Sequence, residues 1–323
     1  MLKVGISGAG YAGQYFVKAL GELGCPVAGI ANRTKERGEA LAAEADAQYY
    51  NSTEEMLANS GAEVLIVATS TQRHLPDIQA AAQAGIRHVF CEKPAGVSAE
   101  DTLRIREICA THSINLGVGY KMRYENIFVK ARELLTAERI GQPVSITLNF
   151  WQPIPHSAWY LDSGYVRETM VHTIDLACWL AGAVPEGVSC NAQSLAGGTK
   201  EDRASVLLHF GSGVTASLNG GWIQDYPYAA GRKNIRFEIV GTGGYICGVR
   251  HELLLVCDED GIQQLNITTN DPVRDELSDF FGRVSDGLSA AIGINDALRV
   301  QRILEAAAAS DKSGQAETVE SGE

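Results

Sequence analysis

No apolar run in this chain approaches the roughly 20 residues that a bilayer-spanning helix needs, so no membrane span is expected. Positive charge is scarce: 27 Lys and Arg stand against 39 Asp and Glu, a formal net charge of -12. That balance opposes non-specific binding to nucleic acid or to an anionic membrane surface. The seven cysteines (25, 91, 109, 178, 190, 247 and 257) include no Cys-x-x-Cys pair, and the seven histidines no His-x-x-x-His pair. Disulfide frameworks and metal centres both need such spacings, so reduced core thiols and no structural metal are expected. The first strand begins at Lys3, which leaves no room for a cleavable leader and makes the cytoplasm the expected location. A Gly/Ser-rich linker and internal repeats are also lacking. At 323 residues the chain is long enough for about two domains, and the expected division is 1–122 and 123–323.

The first of these opens with a short apolar strand, Lys3 to Ser7, which runs into Gly8-Ala9-Gly10-Tyr11-Ala12-Gly13. Tyr15, Phe16, Ala19 and Leu20 then recur at helical spacing. A lone Gly-x-Gly-x-x-Gly carries little weight. Between a strand and a helix it is the dinucleotide fingerprint, with Gly8 for the turn, Gly10 for close approach of the pyrophosphate and Gly13 for helix packing. Tyr11 and Ala12 begin the helix whose free N–H groups and positive dipole suit the phosphates. Further strands are expected at Val27–Ala31, Ala47–Tyr50, Val64–Ala68, His88–Cys91 and Asn115–Gly119. Helices are expected between them at Lys35–Ala45, after the Ser52/Glu55 capping box, at Pro76–Ala84 and at Ser98–Thr111. This alternation predicts a doubly wound parallel sheet, hence an α/β dinucleotide-binding domain of the Rossmann type.

An NAD site carries an acidic residue at the end of the second strand to bond the ribose 2′-hydroxyl. Here Asn32-Arg33-Thr34 takes that place, with Arg37 one helical turn later. Two guanidiniums without a carboxylate suit a 2′-phosphate, so NADP(H) is preferred over NAD(H); the plainer alternative is a pair of solvated helix-start residues. Thr69 and Ser70 at the next strand end suit cofactor phosphate or ribose, or a helix cap, and His74 follows one turn later. Glu92-Lys93-Pro94 closes the strand at His88–Cys91, where ligands of open α/β sheets sit. A lysine there can transfer protons when its surroundings lower its pKa, and the proline can fix its angle, including through a cis bond.

In the second half, Pro143–Trp151 alternates cleanly, with Val144, Ile146, Leu148 and Phe150 on one face. Ala204–Phe210, Val214–Trp222 and Ile235–Val240 read alike, linked by turn glycines such as Gly211 and Gly213. A largely antiparallel open sheet in an α+β domain is expected. Within it, Glu168, His172 and Asp175 fall within about 60° of one another on a helical face. Carboxylates at i-4 and i+3 can fix the tautomer of a histidine that exchanges protons near neutral pH; a structural histidine at a domain interface fits equally. Pocket candidates are Tyr120, Arg123, Tyr124, Trp151, His156, Trp159, Tyr160 and Arg167, since aromatics stack on sugar C–H faces and arginine reads carboxylate or phosphate. Helical spacing returns at 275–288 and 295–309, with Asn295 as the cap of the last helix and a polar, frayed tail from Ser310.

The glycine turn, Ala-Thr-Ser-Thr-x-x-His at 68–74 and Glu-Lys-Pro at 92–94 occur in an order and spacing that resembles the Gfo/Idh/MocA family of NAD(P)-dependent oxidoreductases. The resemblance implies that Lys93 is catalytic, that the bond before Pro94 is cis, and that the protein assembles as a dimer or tetramer. It also implies a motif Asp-x-Gly-x-His-x-x-Asp, in which His172 and Asp175 match while Glu168 replaces the first aspartate and Met170 the glycine. The activity so implied is hydride transfer between nicotinamide and a secondary hydroxyl or carbonyl of a sugar, sugar derivative or cyclic polyol. His172 exchanges the hydroxyl proton, Lys93 polarises the oxygen or relays the proton, with the two able to exchange roles, Glu168 orients the histidine, and Asp175 joins the substrate contacts. Two rivals share the fold: a non-catalytic dinucleotide-binding sensor, against which intact Lys93 and His172 argue, and a biliverdin reductase-like reductase of an unsaturated or imine bond.

Overall fold

The computed structural model describes residues 2–154, 162–195, 197–223 and 234–320. They form two compact units. The first comprises Met1–Tyr124 with Asp271–Gln301, the second Glu125–Asn270 with Arg302–Glu323. A single cut near residue 122 therefore does not describe the chain, because residues 271–301 return to the first unit.

The first unit is built on β1 (Val4–Ser7), β2 (Val27–Ala31), β3 (Gln48–Tyr50), β4 (Val64–Val67), β5 (His88–Cys91) and β6 (Asn115–Val118). All are parallel, in the order β3-β2-β1-β4-β5-β6. The strand order reverses between β1 and β4, which makes their carboxyl ends the switch-point crevice of a doubly wound sheet. Helices α1 (Tyr11–Leu23), α2 (Lys35–Glu44), α3 (Thr53–Asn59), α4 (Thr71–Gln83) and α5 (Ala99–His112) connect the strands. Strands β1 and β4 are buried at every position, as expected of strands covered on both faces. The Ser52/Glu55 box forms: the Glu55 N–H donates to Ser52 Oγ at 3.1 Å, and Glu55 Oε2 accepts from the Asn51 N–H at 3.0 Å. Helix α4 begins five residues before the expected start at Pro76, which it carries inside. The missing proline N–H removes one ladder bond near the helix start, and the helix tolerates that loss there.

Helix α8 (Pro272–Ser285) completes this unit. Its Phe280 meets Phe90 edge-to-face with centroids 5.4 Å apart, and Phe90 meets Phe16 of α1 at 5.7 Å. Val273, Leu277 and Phe280 thus fill the same core as Phe16, Leu20, Val4 and Ile6. Asp271 caps α8 by accepting from the Val273 and Arg274 N–H groups.

The second unit holds a nine-stranded sheet in the order β14-β13-β12-β11-β7-β10-β9-β8-β15. Its strands are β7 (Pro143–Pro153), β8 (Pro185–Gln193), β9 (Arg203–Phe210), β10 (Thr215–Ile223), β11 (Asn234–Gly241), β12 (Gly244–Val249), β13 (Leu253–Asp258), β14 (Gly261–Leu265) and β15 (Glu317–Thr318). Among the described residues only β7 and β10 pair in parallel, and the other pairs are antiparallel. Ile146, Leu148 and Phe150 of β7 are buried, whereas Val144, near the strand's start, is 48% exposed. Helices α6 (Asn126–Thr136) and α7 (Val171–Ala181) belong here, as do the later turns of α9 (Ile294–Ser313). Asn295 lies inside α9 rather than capping it, and Asp296 accepts from the Gly293 N–H at 3.1 Å instead. The tail does not fray at Ser310. Ser310 Oγ, 1% exposed, accepts from the Cys190 N–H and donates to the Gln315 carbonyl, and β15 pairs with β8. No helix among the described residues is long and apolar enough to cross a membrane.

Candidate active site

The glycine turn lies at the carboxyl end of β1. Gly8 has φ +107°, and a Cβ there would stand 2.5 Å from the Ala68 carbonyl oxygen. A Cβ on Gly13 would collide with the Gly8 carbonyl, so α1 approaches the turn only because both positions are glycine. Above Gly10 the space is open, and α1 starts without a side-chain cap and without an acidic residue in its first turn. A closely approaching anion would therefore meet uncapped N–H groups and an unopposed helix dipole. This chain's residues fit a dinucleotide pyrophosphate. Tyr11 is 71% exposed beside Tyr15, whose hydroxyl donates to the Tyr11 oxygen at 2.7 Å; Ala12 is half-buried in the same turn.

At the end of β2, Asn32 Oδ1 accepts from the Ala9 N–H at 3.0 Å while its Nδ2 donates to the Thr34 carbonyl at 2.7 Å. The amide is spent on shaping the turn. Arg33 and Arg37 are exposed, and neither has an ion-pair partner among the described residues. Ser70 is exposed at the start of α4 with its hydroxyl outside any cap bond. Thr69 is used otherwise: its Oγ1 donates to Asp77 Oδ2 at 2.8 Å. Asp77, 1% exposed, also accepts from Thr53, Ser7 and Arg73. His74 faces inward, 1% exposed, between two main-chain carbonyls, and does not offer its ring to a cofactor.

Glu92, Lys93 and Pro94 follow β5, two strands along from β1 at the same end of the parallel sheet. The Lys93–Pro94 bond is cis. The Glu92 N–H donates to the Val67 carbonyl at 2.9 Å, Glu92 Oε2 accepts from the Lys93 N–H at 3.1 Å, and the Pro94 carbonyl lies 3.0 Å from His74 Nδ1, so the turn is pinned on both sides of the lysine. Lys93 itself is half-buried.

Of three residues expected to line a substrate pocket, one is buried and two bond to residues of the first unit. Tyr120 is 1% exposed. Arg123 bonds Asp296 at 3.0 Å, and Tyr124 donates to Asp279 Oδ2 at 2.8 Å. Burial first, and then the bond to Asp279, raise the Tyr124 pKa well above the phenolic range.

Beside them lies Glu276 of α8, 2% exposed, neither oxygen of which has a hydrogen-bond partner among the described residues. Burial, reinforced by Glu92 and opposed by Lys121, holds its carboxyl well above the carboxylate range. A raised folded-state pKa means that the folded protein keeps a proton the unfolded chain releases above about pH 4.3. Stability is thus lost as pH rises from there towards the folded pKa, with a slope of up to ~1.4 kcal/mol per pH unit. Glu276→Gln should abolish this component, so its stability relative to the parent should rise between pH 5 and pH 8 in urea unfolding. A difference independent of pH would mean that the carboxyl is ionised in the fold.

In the second unit, Glu168 lies in a π-helical turn, Val166–Met170, that leads into α7, and the pair His172 and Asp175 sit on α7 itself. A single regular helix through all three was expected; the wider turn instead re-aims Glu168 before α7 begins. Such turns are frequent at functional sites. Glu168 and His172 are 9% exposed, Asp175 1%. Met170 is fully buried, so the residue in the glycine's place serves packing. The turn is locked by residues whose part was not read from the sequence. Thr169 Oγ1 accepts from Gln152 Nε2 at 2.9 Å and from Trp222 Nε1 at 3.2 Å, and Tyr165 donates to the Phe150 carbonyl at 2.7 Å. Glu201 accepts from the Val166 N–H at 3.2 Å, and burial raises its carboxyl pKa. Arg167 and Trp151 are half-buried. His156, Trp159 and Tyr160 lie outside the described residues.

Residues 2–120 match the family model described as "Oxidoreductase family, NAD-binding Rossmann fold", and residues 128–247 the model described as "GFO/IDH/MocA C-terminal domain". The chain is 24% identical to the inositol 2-dehydrogenase of Rhizobium meliloti (strain 1021), over 95% of this chain and 96% of the relative. It is 25% identical to the scyllo-inositol 2-dehydrogenase (NAD(+)) of Bacillus subtilis (strain 168), over 80% and 78%. Among solved structures, an oxidoreductase from Agrobacterium radiobacter in complex with NAD+, L-tartaric acid and magnesium superposes with a TM-score of 0.90 at 19% identity, covering 98% of both chains. With its glycine turn, its Glu-Lys-Pro strand end and both halves matched, the chain belongs to the Gfo/Idh/MocA family and is an NAD(P)-dependent oxidoreductase acting on a CH–OH group.

Proposed function

We propose that this chain interconverts a secondary hydroxyl and a carbonyl on a cyclic polyol or sugar, free or carried on a larger group, with NADP(H) as the preferred cofactor. The observation that carries the reading is the sheet end itself: an open space above Gly10, and Lys93 on a pinned turn two strands away. A bound nicotinamide dinucleotide supplies the hydride acceptor or donor. Gly8, Gly10 and Gly13 shape its pyrophosphate cradle, Ser70 offers a hydroxyl, and Glu92 and Lys93 stand at the strand end. Lys93 polarises the substrate oxygen, His172 takes or returns the hydroxyl proton, and Glu168 fixes the imidazole's orientation. Asp175, Arg167 and Trp151 complete the substrate contacts in this reading. The names of the two curated relatives support an inositol-like ring. Assembly into a dimer or tetramer belongs to this reading through the family resemblance alone.

The cofactor preference is tested at Arg33. A charge-assisted bond to a 2′-phosphate is worth ~1.5–3 kcal/mol, or roughly 10- to 150-fold in affinity. Arg33→Ala is expected to equalise NADP and NAD in fluorescence titrations; tighter NAD binding by the parent protein would show that Asn32 and the turn it shapes govern the pocket. For the substrate, a panel of inositols, sugars, sugar phosphates and nucleotide sugars is followed by nicotinamide absorbance. An aliphatic alcohol would leave polar groups such as Glu168, His172 and Asp175 without substrate hydroxyls, at roughly 1–3 kcal/mol each, and is expected to be poor. Silence across the panel beside rapid turnover of a simple ketone would overturn the assignment.

A further inference from the structure

His74 projects from α4 into the interior of the first unit, where both ring nitrogens meet main-chain oxygens. Nδ1 lies 3.0 Å from the Pro94 carbonyl and Nε2 3.1 Å from the Thr69 carbonyl. A carbonyl only accepts, so a neutral ring donates to one of the two and a protonated ring to both. Thr69 belongs to the loop after β4; Pro94 follows Lys93 in the turn after β5. The imidazole is thus a strut between the neighbouring loops at the ligand-facing end of the sheet.

We propose that His74 is a positioning residue, whose ring ties the turn carrying Lys93 to the loop after β4 and so sets where the lysine side chain starts. The inference rests on the role given to Lys93 under the proposed function. Three features favour a strut over a cofactor contact. The ring is 1% exposed. Both of its nitrogens are directed at main-chain oxygens. The Thr69 side chain is independently fixed by Asp77 at 2.8 Å, so one end of the strut rests on an anchored loop. The other end meets the carbonyl of Pro94, the residue that follows Lys93. The charged groups facing the ring are Glu92 from the end of β5 and Asp77 from α4, both of which favour its protonated form, while burial opposes it and draws the pKa down.

The test compares His74→Phe and Lys93→Met in the full-length protein, with circular dichroism as the check on folding. His74→Phe keeps a ring of similar size and removes both polar contacts. Its kcat at saturating substrate is expected to fall about tenfold or more, with the Kd for the dinucleotide within about threefold of the parent. The KM for the substrate should stay within about threefold of the parent, a split between kcat and KM that a merely structural role would not produce. Should His74→Phe fail to fold, His74→Gln, whose amide still donates to one carbonyl, takes its place in the same measurements. Full activity of Lys93→Met would overturn the proposed mechanism and this inference with it. An inactive Lys93→Met beside an unimpaired His74 variant would overturn the inference alone, as would a loss of dinucleotide affinity that parallels the loss of kcat.

Discussion

Lys93→Met is expected to fold, to bind dinucleotide, and to lose at least ~10²-fold in kcat, the usual scale for a group that transfers or polarises a proton. Methionine keeps the length and apolar stem of lysine while removing the ammonium. The backbone around it does not depend on that ammonium. Glu92 N–H bonds the Val67 carbonyl and Gly119 N–H the Cys91 carbonyl, each at 2.9 Å, and Glu92 Oε2 holds the Lys93 N–H. The turn should therefore keep its place when the charge is lost. Steady-state rates from nicotinamide absorbance, with binding measured by fluorescence, separate the two effects. Undiminished turnover would remove Lys93 from the mechanism.

The parallel sheet was legible because its strands are buried on both faces. Val64–Val67 and His88–Cys91 carry continuous apolar runs, and each is followed by a signal that ends a strand, Thr69-Ser70 in one case and Lys93-Pro94 in the other. The glycine turn was legible because steric demand leaves a residue type behind: the collision a Cβ would cause at Gly13 is written as a glycine. Helix α8 shows the limit. Its spacing predicts an apolar face, but periodicity does not say which core that face fills, and Phe280 fills the first. Strands β12 to β14 escaped for another reason: β14 is exposed along most of its length and lacks an alternating buried face, and the Leu253–Val256 run of β13 is as consistent with a buried helix segment. The tail was misread from its polarity, since one buried hydroxyl, Ser310, and one buried Val319 anchor a segment that composition alone describes as solvated.

Buried polar networks were the least legible part of the site, because partners brought together by the fold leave no spacing rule behind. Asp77 is the clearest case and the one with the largest expected effect on stability. From α4 it accepts hydrogen bonds from Thr53 at 2.8 Å, Thr69 at 2.8 Å, Ser7 at 3.2 Å and Arg73 at 3.3 Å. Ser7 ends β1, Thr53 begins α3 and Thr69 opens the loop after β4, so one carboxylate gathers three elements around the switch-point crevice. Arg73 is 52% exposed and, as a partly solvated partner, adds at most ~1 kcal/mol. The hydroxyls are the larger share. Asp77→Ala deprives three of them of an acceptor in a buried site, at roughly 1–3 kcal/mol each, although one of Ser7 and Thr53 can then donate to the other across 2.7 Å. The expected loss is about 3 kcal/mol, read as a lower urea midpoint at an unchanged slope. Asp77→Asn keeps one carbonyl acceptor, lets hydroxyls rotate to accept from its amide, and should lose about 1 kcal/mol. The alanine variant should also bind dinucleotide more weakly, since the loop bearing Thr69 and Ser70 loses its anchor. A loss below about 1 kcal/mol for Asp77→Ala would show that the gathered hydroxyls find other partners and that the carboxylate does not organise the crevice.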